Sequence, residues 1–381
     1  MPDKEVKKIL IFSLAYYPTF VGGAEVALKE ITDRISDIEW HILTLNFRGD
    51  PAEEKMGNVH VHRLGRNASY LSKILFMPRA AWRARAMHRT RPFQGLWAMM
   101  SYMLFPIVLA RLPVPYVLTL QEGDPWEHMF SRWFILPFRP LLSYGFRHAS
   151  TVTALSNYLA KWARHMGYTR PVEIVPNGVD IQRFSGVSVA HEGTVLITTS
   201  RLVHKNAVDD VIRALALLPP HVRFQILGTG PDEAALKELA KKECVSERIE
   251  FLGHIDHKDM PRYLHAADIF IRPSRSEGQG ASFIEAMAIG LPVIATQEGG
   301  IADFLFDAKR NPDKETTGWA VDVNSPEQIA MAVKDIITNP DKVSLVRENA
   351  LALVREKYDW NFIAKQMNAL FQAVFASSHS H

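Results

Sequence analysis

Short apolar runs alternate with amphipathic stretches along most of the chain, and this alternation predicts strands followed by helices. The first round consists of an apolar strand at 8–14, a glycine-containing turn and an amphipathic helix at 23–35. Further strand-like runs follow at 40–45, 59–63, 116–120, 151–154 and 172–175. Uninterrupted apolar runs of this length are typical of parallel strands that are buried on both faces.

A second round of the same pattern begins near Thr194. Its strand-like runs lie at 195–200, 223–228, 249–253, 268–274 and 292–296, and its helical stretches at 207–218, 233–242, 258–266 and 282–289. Two more helices are predicted at 342–357 and 361–376. The pattern predicts an α/β protein with two Rossmann-like domains whose parallel sheets face an interdomain cleft. We expect ligands at the carboxyl ends of the strands in that cleft.

The small and polar segment 184–193 marks the break between the two rounds. We therefore predict a first domain at 1–188 and a second domain at 189–357. The remaining segment, 358–381, is predicted as a helix that packs back on the first domain.

The longest apolar run, 96–110, is shorter than the about 20 residues that a membrane-spanning helix needs, and Pro106 interrupts it. We predict a buried or interfacial helix there. The N-terminal sequence carries two acidic residues before a short apolar run, so it predicts neither a signal peptide nor a membrane-spanning segment.

Composition narrows the class of protein. The 381 residues are 47% hydrophobic and 22% charged, a mixture typical of globular enzymes. Because Cys244 is the one cysteine, a disulfide scaffold and a cysteine-built metal site are excluded, and a reducing, cytoplasmic compartment is favoured.

The small net charge of +3 conceals an asymmetry along the chain. Residues 1–185 hold 23 basic and 15 acidic side chains, whereas the rest holds 21 basic and 26 acidic ones. Two windows, 55–121 and 129–172, contain no acidic residue at all, and their basic residues are interleaved with aromatic ones. Such a mixture favours an anionic membrane surface, with Arg79, Arg83, Arg85 and Arg89 among the expected contacts. Nucleic acid is the weaker alternative, since no nucleic-acid motif is present.

The first candidate site is the glycine pair Gly22 and Gly23, which follows the first strand and opens a helix. Backbone N–H groups at such a position can approach a phosphate. The pair lacks the spacing of the dinucleotide-binding and Walker motifs, so NAD and ATP-hydrolase functions are not supported. A tight turn without a ligand explains this motif equally well.

The second candidate site is a glycine-flanked loop that feeds a helix. Glu277 lies in the loop and Glu285 follows eight residues later, within the helix. One carboxylate can accept hydrogen bonds from a sugar diol, while the loop and the helix N-terminus face a diphosphate. The loop residues between them that we assign to the ligand are Gly278, Gln279, Gly280, Ala281 and Ser282. A glycosidase-like carboxylate pair is the alternative, but such a pair needs no phosphate-binding loop.

The third candidate site follows the first strand of the second round, where Arg201 and Lys205 would project towards the same edge. Two cations at that place can neutralise a diphosphate and stabilise it as it leaves. The chain contains no Asp-x-Asp sequence, so we expect neither a metal nor another cofactor. Surface salt bridging is the alternative role.

Together these segments resemble the retaining glycosyltransferases of family 4, which have the two-domain GT-B fold. The resemblance extends over nearly the whole chain. It is carried by GGAE (22–25), TLQEGD (119–124), TALSNYL (153–159), IVPNGVDIQRF (174–184), SRLVHKN (200–206), ILGTGP (226–231), FLGHI (251–255), the Glu-x7-Glu block and YDWNFIA (358–364).

The resemblance implies a role for each matching residue. Arg201 and Lys205 would contact the donor diphosphate, Glu277 the transferred sugar and Glu285 the ribose hydroxyls. His254 and Ile255, in the FLGHI segment, would lie on the nucleotide side, although a surface histidine is the alternative for His254. Gln121, Glu122 and Asp124 would lie on the side of the acceptor and the transferred sugar.

Two departures from the family pattern affect these roles. Gln121 stands where the family usually has histidine, and Glu122 where it has glycine. Glutamine can hydrogen-bond a sugar hydroxyl but cannot exchange a proton near neutral pH. Gln279 and Ala281 replace the usual phenylalanine and leucine, which leaves the donor sugar open.

The resemblance implies a metal-independent, retaining hexosyltransferase that takes UDP- or GDP-sugar as co-substrate. We expect a lipid-linked or polysaccharide-precursor acceptor of the cell envelope, and a peripheral location on the cytoplasmic face of the membrane. The alternatives are a GT-B nucleotide-sugar epimerase or synthase, and a catalytically silent subunit that binds lipid or protein.

Overall fold

The computed structural model describes residues 6–19, 21–184, 186 and 192–376. The chain divides into two compact units, the first formed by Met1–Asn177 with Trp360–His381 and the second by Gly178–Asp359. The domain boundary predicted at 188 lies outside the described residues, and the division in the structure falls eleven residues earlier. Each unit is an α/β layer structure built on its own sheet.

Unit 1 contains eight strands in the part of the chain that the structure describes. They are β1 (Lys7–Phe12), β2 (Ile38–Leu45), β3 (Glu53–Met56), β4 (Val59–Leu64), β5 (Gly95–Met99), β6 (Tyr116–Leu120), β7 (Thr151–Ala154) and β8 (Val172–Ile174). Their order is β3-β4-β2-β1-β5-β6-β7-β8, and all pairs are parallel except the β3–β4 pair at the edge. The predicted parallel α/β architecture is confirmed for this unit.

The first six helices cover both faces of this sheet, as expected for parallel strands that are buried on both sides. They are α1 (Gly23–Arg34), α2 (Tyr70–Thr90), α3 (Leu104–Ala110), α4 (Trp126–Phe130), α5 (Arg139–His148) and α6 (Asn157–His165). The hydroxyl of Ser69 begins α2 by accepting the backbone N–H of Ser72, and Phe76, Ala80, Ala84 and Met87 form its buried face. The apolar pattern did not reveal α2, because large apolar side chains also lie on its exposed face.

The prediction of one helix at 96–110 was wrong. Residues Gly95–Met99 form the central strand β5, a short 3-10 turn at Ser101–Met103 follows, and only Leu104–Ala110 is α-helical. A strand buried on both faces and a buried helix both read as a continuous apolar run, so periodicity cannot separate them. Pairing of β5 with β1 and β6 decides the outcome.

Unit 2 has a six-stranded sheet within its described residues, formed by β9 (Thr194–Thr199), β10 (Val222–Leu227), β11 (Ile249–Gly253), β12 (Ile269–Arg272), β13 (Val293–Ala295) and β14 (Trp319–Ala320). Its helices are α7 (Val208–Ala216), α8 (Glu233–Lys242), α9 (Met260–His265), α10 (Ala281–Ile289), α11 (Pro326–Thr338) and α12 (Pro340–Lys357). The strand order is β11-β10-β9-β12-β13-β14, and all pairs are parallel. The order reverses between β9 and β12, which is where open α/β sheets bind ligands.

The chain ends its described part with α13 (Trp360–Ala376), which packs in unit 1. The ring of Phe371 lies 5.5 Å from that of Trp40 on β2 and 5.1 Å from that of Trp97 on β5. Among the described helices, none is both long enough and apolar enough to cross a membrane.

Candidate functional site

The loops that follow β9 and β12 are tied together at the carboxyl edge of the unit 2 sheet. The backbone N–H of Arg275 donates to the carbonyl of Lys205 at 2.7 Å, and its guanidinium donates to the carbonyl of His204 at 2.7 Å. The same guanidinium forms ion pairs of 2.8 Å with Asp209 and with Asp210. The loop that carries Arg201 and Lys205 is therefore fixed against the loop that carries Glu277.

Glu277 is held at both carboxylate oxygens. Arg272 donates from Nη2 to Oε2 at 2.8 Å, and the backbone N–H of Gly278 donates to Oε1 at 2.9 Å. The main chain is held as well, because the N–H of Gly300 donates to the carbonyl of Glu277 at 3.0 Å. A Cβ atom on Gly299 would lie 2.0 Å from that carbonyl oxygen, so only glycine allows this approach.

Arg272 is the last residue of β12 and is 6% exposed. Its Nη1 donates to the hydroxyl of Ser282 at 2.8 Å and to the carbonyl of Thr199 at 3.2 Å. Its guanidinium carbon lies 4.2 Å from the centre of the Phe283 ring. Burial holds the pKa of Arg272 below its ordinary value, and the negative charges of Glu277 and Glu285 only partly offset that effect.

Glu285 lies one turn into α10 and is paired with His257. The imidazole Nε2 is 2.7 Å from Oε1 of the carboxylate, and the ring of His257 packs near that of Phe184, with 5.9 Å between the ring centres. Both Glu277 and Glu285 are largely buried, with side chains 13% and 12% exposed. The two carboxylates of the Glu-x7-Glu block thus have different partners and separate places.

The glycine-rich loop turns sharply into α10. Gly280 has a φ of +83°, and a Cβ there would lie 2.7 Å from Nη2 of Arg272, so the loop needs glycine at this position. Gln279 is buried, whereas Ala281 and Ser282 are half-buried at the start of the helix. The helix thus presents its N-terminus next to Glu277, an arrangement that favours an anion.

The two predicted cations lie in the loop that follows β9. Arg201 is exposed, and its carbonyl accepts the side-chain N–H of Asn206 at 2.6 Å. Lys205 is half-buried in a short 3-10 turn, His204–Asn206. Of the two residues predicted on the nucleotide side, His254 has an exposed ring 3.6 Å from Asp256, and Ile255 is half-buried.

In unit 1 both Gln121 and Gly23 lie next to the side chain of Asn177. The side-chain amides of Gln121 and Asn177 bond reciprocally at 3.0 and 3.3 Å. A Cβ on Gly23 would lie 3.6 Å from Nδ2 of Asn177, which is ordinary contact. Gly22 donates its N–H to Glu25 at 2.9 Å, and burial raises the pKa of that carboxyl.

Glu122 and Asp124 have different surroundings, although both were predicted on the acceptor side. Glu122 is buried and accepts the backbone N–H of Ser101 at 2.6 Å, which ties the end of β6 to the turn after β5. Burial raises the pKa of Glu122. Asp124 is half exposed, with its carboxylate 3.9 Å from the ring of His128.

Sequence reasoning missed Arg272 and His257, the partners of the two central carboxylates. Arg272 lies at the end of an apolar run that predicts a strand, and His257 lies 28 residues before Glu285. The spacing of residues along the chain therefore did not indicate a contact of either with the carboxylates. In the part of the chain that the structure describes, no group of three or more His, Cys, Asp or Glu residues is arranged to hold a metal ion.

Two family models match the chain in succession. The model described as "Glycosyltransferase Family 4" matches residues 21–183, and the one described as "Glycosyl transferases group 1" matches residues 181–352. The matches correspond to the first and second units.

Curated relatives and solved structures show the same similarity. A "GDP-mannose-dependent monoacylated alpha-(1-6)-phosphatidylinositol monomannoside mannosyltransferase" of Corynebacterium glutamicum is 26% identical over 63% of this chain and 67% of its own. The GDP-mannose-dependent alpha-(1-6)-phosphatidylinositol monomannoside mannosyltransferase of Mycobacterium tuberculosis is 28% identical over 92% of this chain and 94% of its own. Sucrose-phosphate synthase of Thermosynechococcus elongatus has a TM-score of 0.83 at 18% identity, over 97% of this chain and 100% of its own. Anabaena HepE in complex with UDP-glucose has a TM-score of 0.76 at 20% identity, over 96% of this chain and 99% of its own.

Proposed function

The chain belongs to glycosyltransferase family 4 and has the GT-B fold, and from this membership we propose that it is a retaining hexosyltransferase. Its donor is a UDP- or GDP-linked sugar, and its acceptor is a hydroxyl of a lipid-linked or polysaccharide precursor. The observation that carries the proposal is the fixed Glu277 beside the N-terminus of α10, with Glu285 in the helix and the Arg201–Lys205 loop tied alongside.

Each part of this edge has a chemical role in the proposal. Arg201 and Lys205 bind the diphosphate and stabilise the charge that develops as it leaves. Glu277 accepts hydrogen bonds from the transferred sugar, and Glu285 accepts them from the ribose hydroxyls. The two cations supply the positive charge that a metal supplies in other transferases, so the reaction proceeds without one.

The reaction needs no protein nucleophile in this proposal. The acceptor hydroxyl attacks the sugar from the face that the diphosphate leaves, and the leaving phosphate oxygen takes the acceptor proton. The protein contributes alignment and charge stabilisation. Gln121, fixed by Asn177, can orient a hydroxyl through its amide but does not carry the proton.

The acceptor side is proposed to work at an anionic membrane, on the cytoplasmic face. Two relatives are named for transfer to a phosphatidylinositol mannoside, and unit 1 exposes large apolar side chains beside arginines. We define this aromatic–basic face as exposed Tyr70, Leu71, Ile74, Trp82, Trp133, Leu136 and Phe138 with exposed Arg66, Arg79 and Arg89. Trp133 is 82% exposed and Trp82 69%, and the rings of Tyr70 and Phe134 join α2 to the 132–138 segment at 6.5 Å. Apolar side chains of this kind insert between head groups that the arginines attract.

The test of the donor is a thermal-shift and calorimetric panel of UDP, GDP and ADP with their sugars. A nucleotide that binds the folded protein raises its midpoint of unfolding by mass action, and one base is expected to dominate. Product analysis by NMR then separates the classes. Glycoside formation with the anomeric configuration of the donor supports the proposal, a rearranged sugar without acceptor indicates an epimerase, and absence of nucleotide binding indicates a silent subunit.

A further inference from the structure

A buried guanidinium lies directly behind the carboxylate that we propose for the transferred sugar. We propose that Arg272 is a positioning residue, which holds Glu277 in the one orientation that receives the donor sugar. The inference rests on the proposed function, and it adds a residue that no part of the Glu-x7-Glu pattern contains.

The contacts of Arg272 leave its guanidinium one orientation. Nη2 donates to Glu277, while Nη1 donates to the Ser282 hydroxyl and to the Thr199 carbonyl. The Phe283 ring closes one face of the guanidinium plane at 4.2 Å. These partners come from a strand end, the glycine-rich loop and the first turns of α10, so the arginine links three elements of the site.

The consequence for Glu277 is a carboxylate that is aligned before any ligand binds. Arg272 occupies one lone pair of Oε2 and the Gly278 N–H one lone pair of Oε1. The remaining lone pairs then point in fixed directions, and a sugar hydroxyl meets acceptors that need no reorganisation. Without the arginine, a largely buried carboxylate would lose its counter-charge and turn towards water.

Lysine cannot replace this function, although it carries the same charge. An ammonium group is a single point donor, whereas the planar guanidinium donates in two fixed directions at once. Arg272→Lys therefore keeps a cation near Glu277 but gives up the alignment.

The test measures the binding of UDP and UDP-glucose, and of GDP and GDP-mannose, by calorimetry. We call the sugar increment the dissociation constant of the nucleoside diphosphate divided by that of its nucleotide-sugar. This ratio reports how much the contact between protein and sugar adds to the affinity. For Arg272→Lys we expect a nucleoside-diphosphate affinity within about twofold of the wild type and a sugar increment reduced about tenfold, the value of one charged hydrogen bond. Arg248→Lys is the matched control, because Arg248 donates only to carbonyls, those of Val222, Leu218 and Pro219, and its sugar increment stays unchanged.

A second measurement guards against a folding defect. The double variant Arg272→Met with Glu277→Gln removes both charges together, and its sugar increment should equal that of Glu277→Gln alone, because Arg272 acts through Glu277. The positioning role would be overturned if the two changes reduced the sugar increment additively in the double variant. It would also be overturned if Arg272→Lys left the sugar increment unchanged, and in both cases the proposed function stands. A wild type that binds the nucleotide-sugar no better than the nucleotide would overturn the role of Glu277 and this proposal together.

Discussion

His257 and Glu285 are 28 residues apart in the chain, yet the imidazole Nε2 lies 2.7 Å from the carboxylate Oε1. His257 follows β11, whereas Glu285 lies in α10 after β12, so the pair joins segments that follow two strands separated in the sheet by β10 and β9. The imidazole restricts the rotation of a carboxylate that we assign to the ribose. This pairing gives Glu285 an environment different from that of Glu277, whose partner is a guanidinium.

The different environments predict different effects of removing each carboxylate. Glu285→Ala should weaken nucleoside-diphosphate binding about ten- to hundredfold, since a hydrogen bond to a charged group contributes about 1.5–3 kcal/mol. Glu277→Ala should lower turnover and leave that affinity nearly unchanged. Calorimetry with the free nucleoside diphosphate checks both variants, and an unaltered affinity in Glu285→Ala contradicts the ribose assignment.

Transfer should persist when divalent metal ions are chelated, because Arg201 and Lys205 are proposed to neutralise the diphosphate. The measurement is the rate of nucleoside-diphosphate release in the presence of acceptor, with and without EDTA. Lys205→Met, with less positive charge at the leaving group, should lower that rate in both conditions. Loss of activity in EDTA that Mn²⁺ restores would refute this assignment of the two cations.

Glu122 should make stability depend on pH in a defined direction. Its pKa is raised in the folded protein by burial, so the folded state binds the proton more tightly than the unfolded state. The free energy of unfolding therefore falls as pH rises from the ordinary carboxyl pKa of 4.5 to the raised pKa of the folded state. Above the raised pKa it stays at this lower level, because the buried carboxyl is then charged.

The variant Glu122→Gln isolates this effect, because glutamine keeps an oxygen for the Ser101 N–H but carries no charge. Denaturant unfolding should find the variant more stable than the wild type at neutral pH, with the difference vanishing below about pH 4. A difference that is constant from pH 4 to pH 8 would show that the carboxyl does not titrate in this way.

Membrane binding should depend on the exposed arginines of the aromatic–basic face. The side chains of Arg66, Arg79 and Arg89 make no hydrogen bond or ion pair with the described residues, whereas Arg83 pairs with Glu53 and Arg85 donates to the carbonyls of Leu109 and Ala110. Changing Arg66, Arg79 and Arg89 to Gln should weaken binding to anionic liposomes by about 3 kcal/mol at low salt, at about 1 kcal/mol for each residue.

Flotation with liposomes of graded anionic content measures this effect. The control changes exposed Arg223, Arg262 and Arg355 to Gln, which removes the same charge from unit 2. Trp133→Ser tests the apolar part of the face in the same assay, and its effect should persist at high salt because it does not depend on charge. Equal flotation of wild type and triple variant would favour an acceptor that is not membrane-bound.

Local pattern determined the alternation of strands and helices over much of this chain, although it did not reveal α2 or β5. The runs at 116–120, 151–154 and 249–253 match their strands at both ends. The spacing of Glu277 and Glu285 placed one on a loop and the other in a helix, where the structure also has them. These features depend on neighbours in the chain, so the sequence alone determined them.

Tertiary structure decided which distant residues meet. Pairing with β1 and β6 made 95–99 a strand, although the apolar run by itself also fitted a helix. The contacts of Arg272 with Thr199 and of His257 with Glu285 join residues 73 and 28 positions apart, so they depend on how the strands are arranged and on how their loops turn. The exposure of Trp82 and Trp133 depends on which face of each segment the core leaves uncovered. Periodicity records which residues can be buried, whereas packing decides which of them are buried and against what partner.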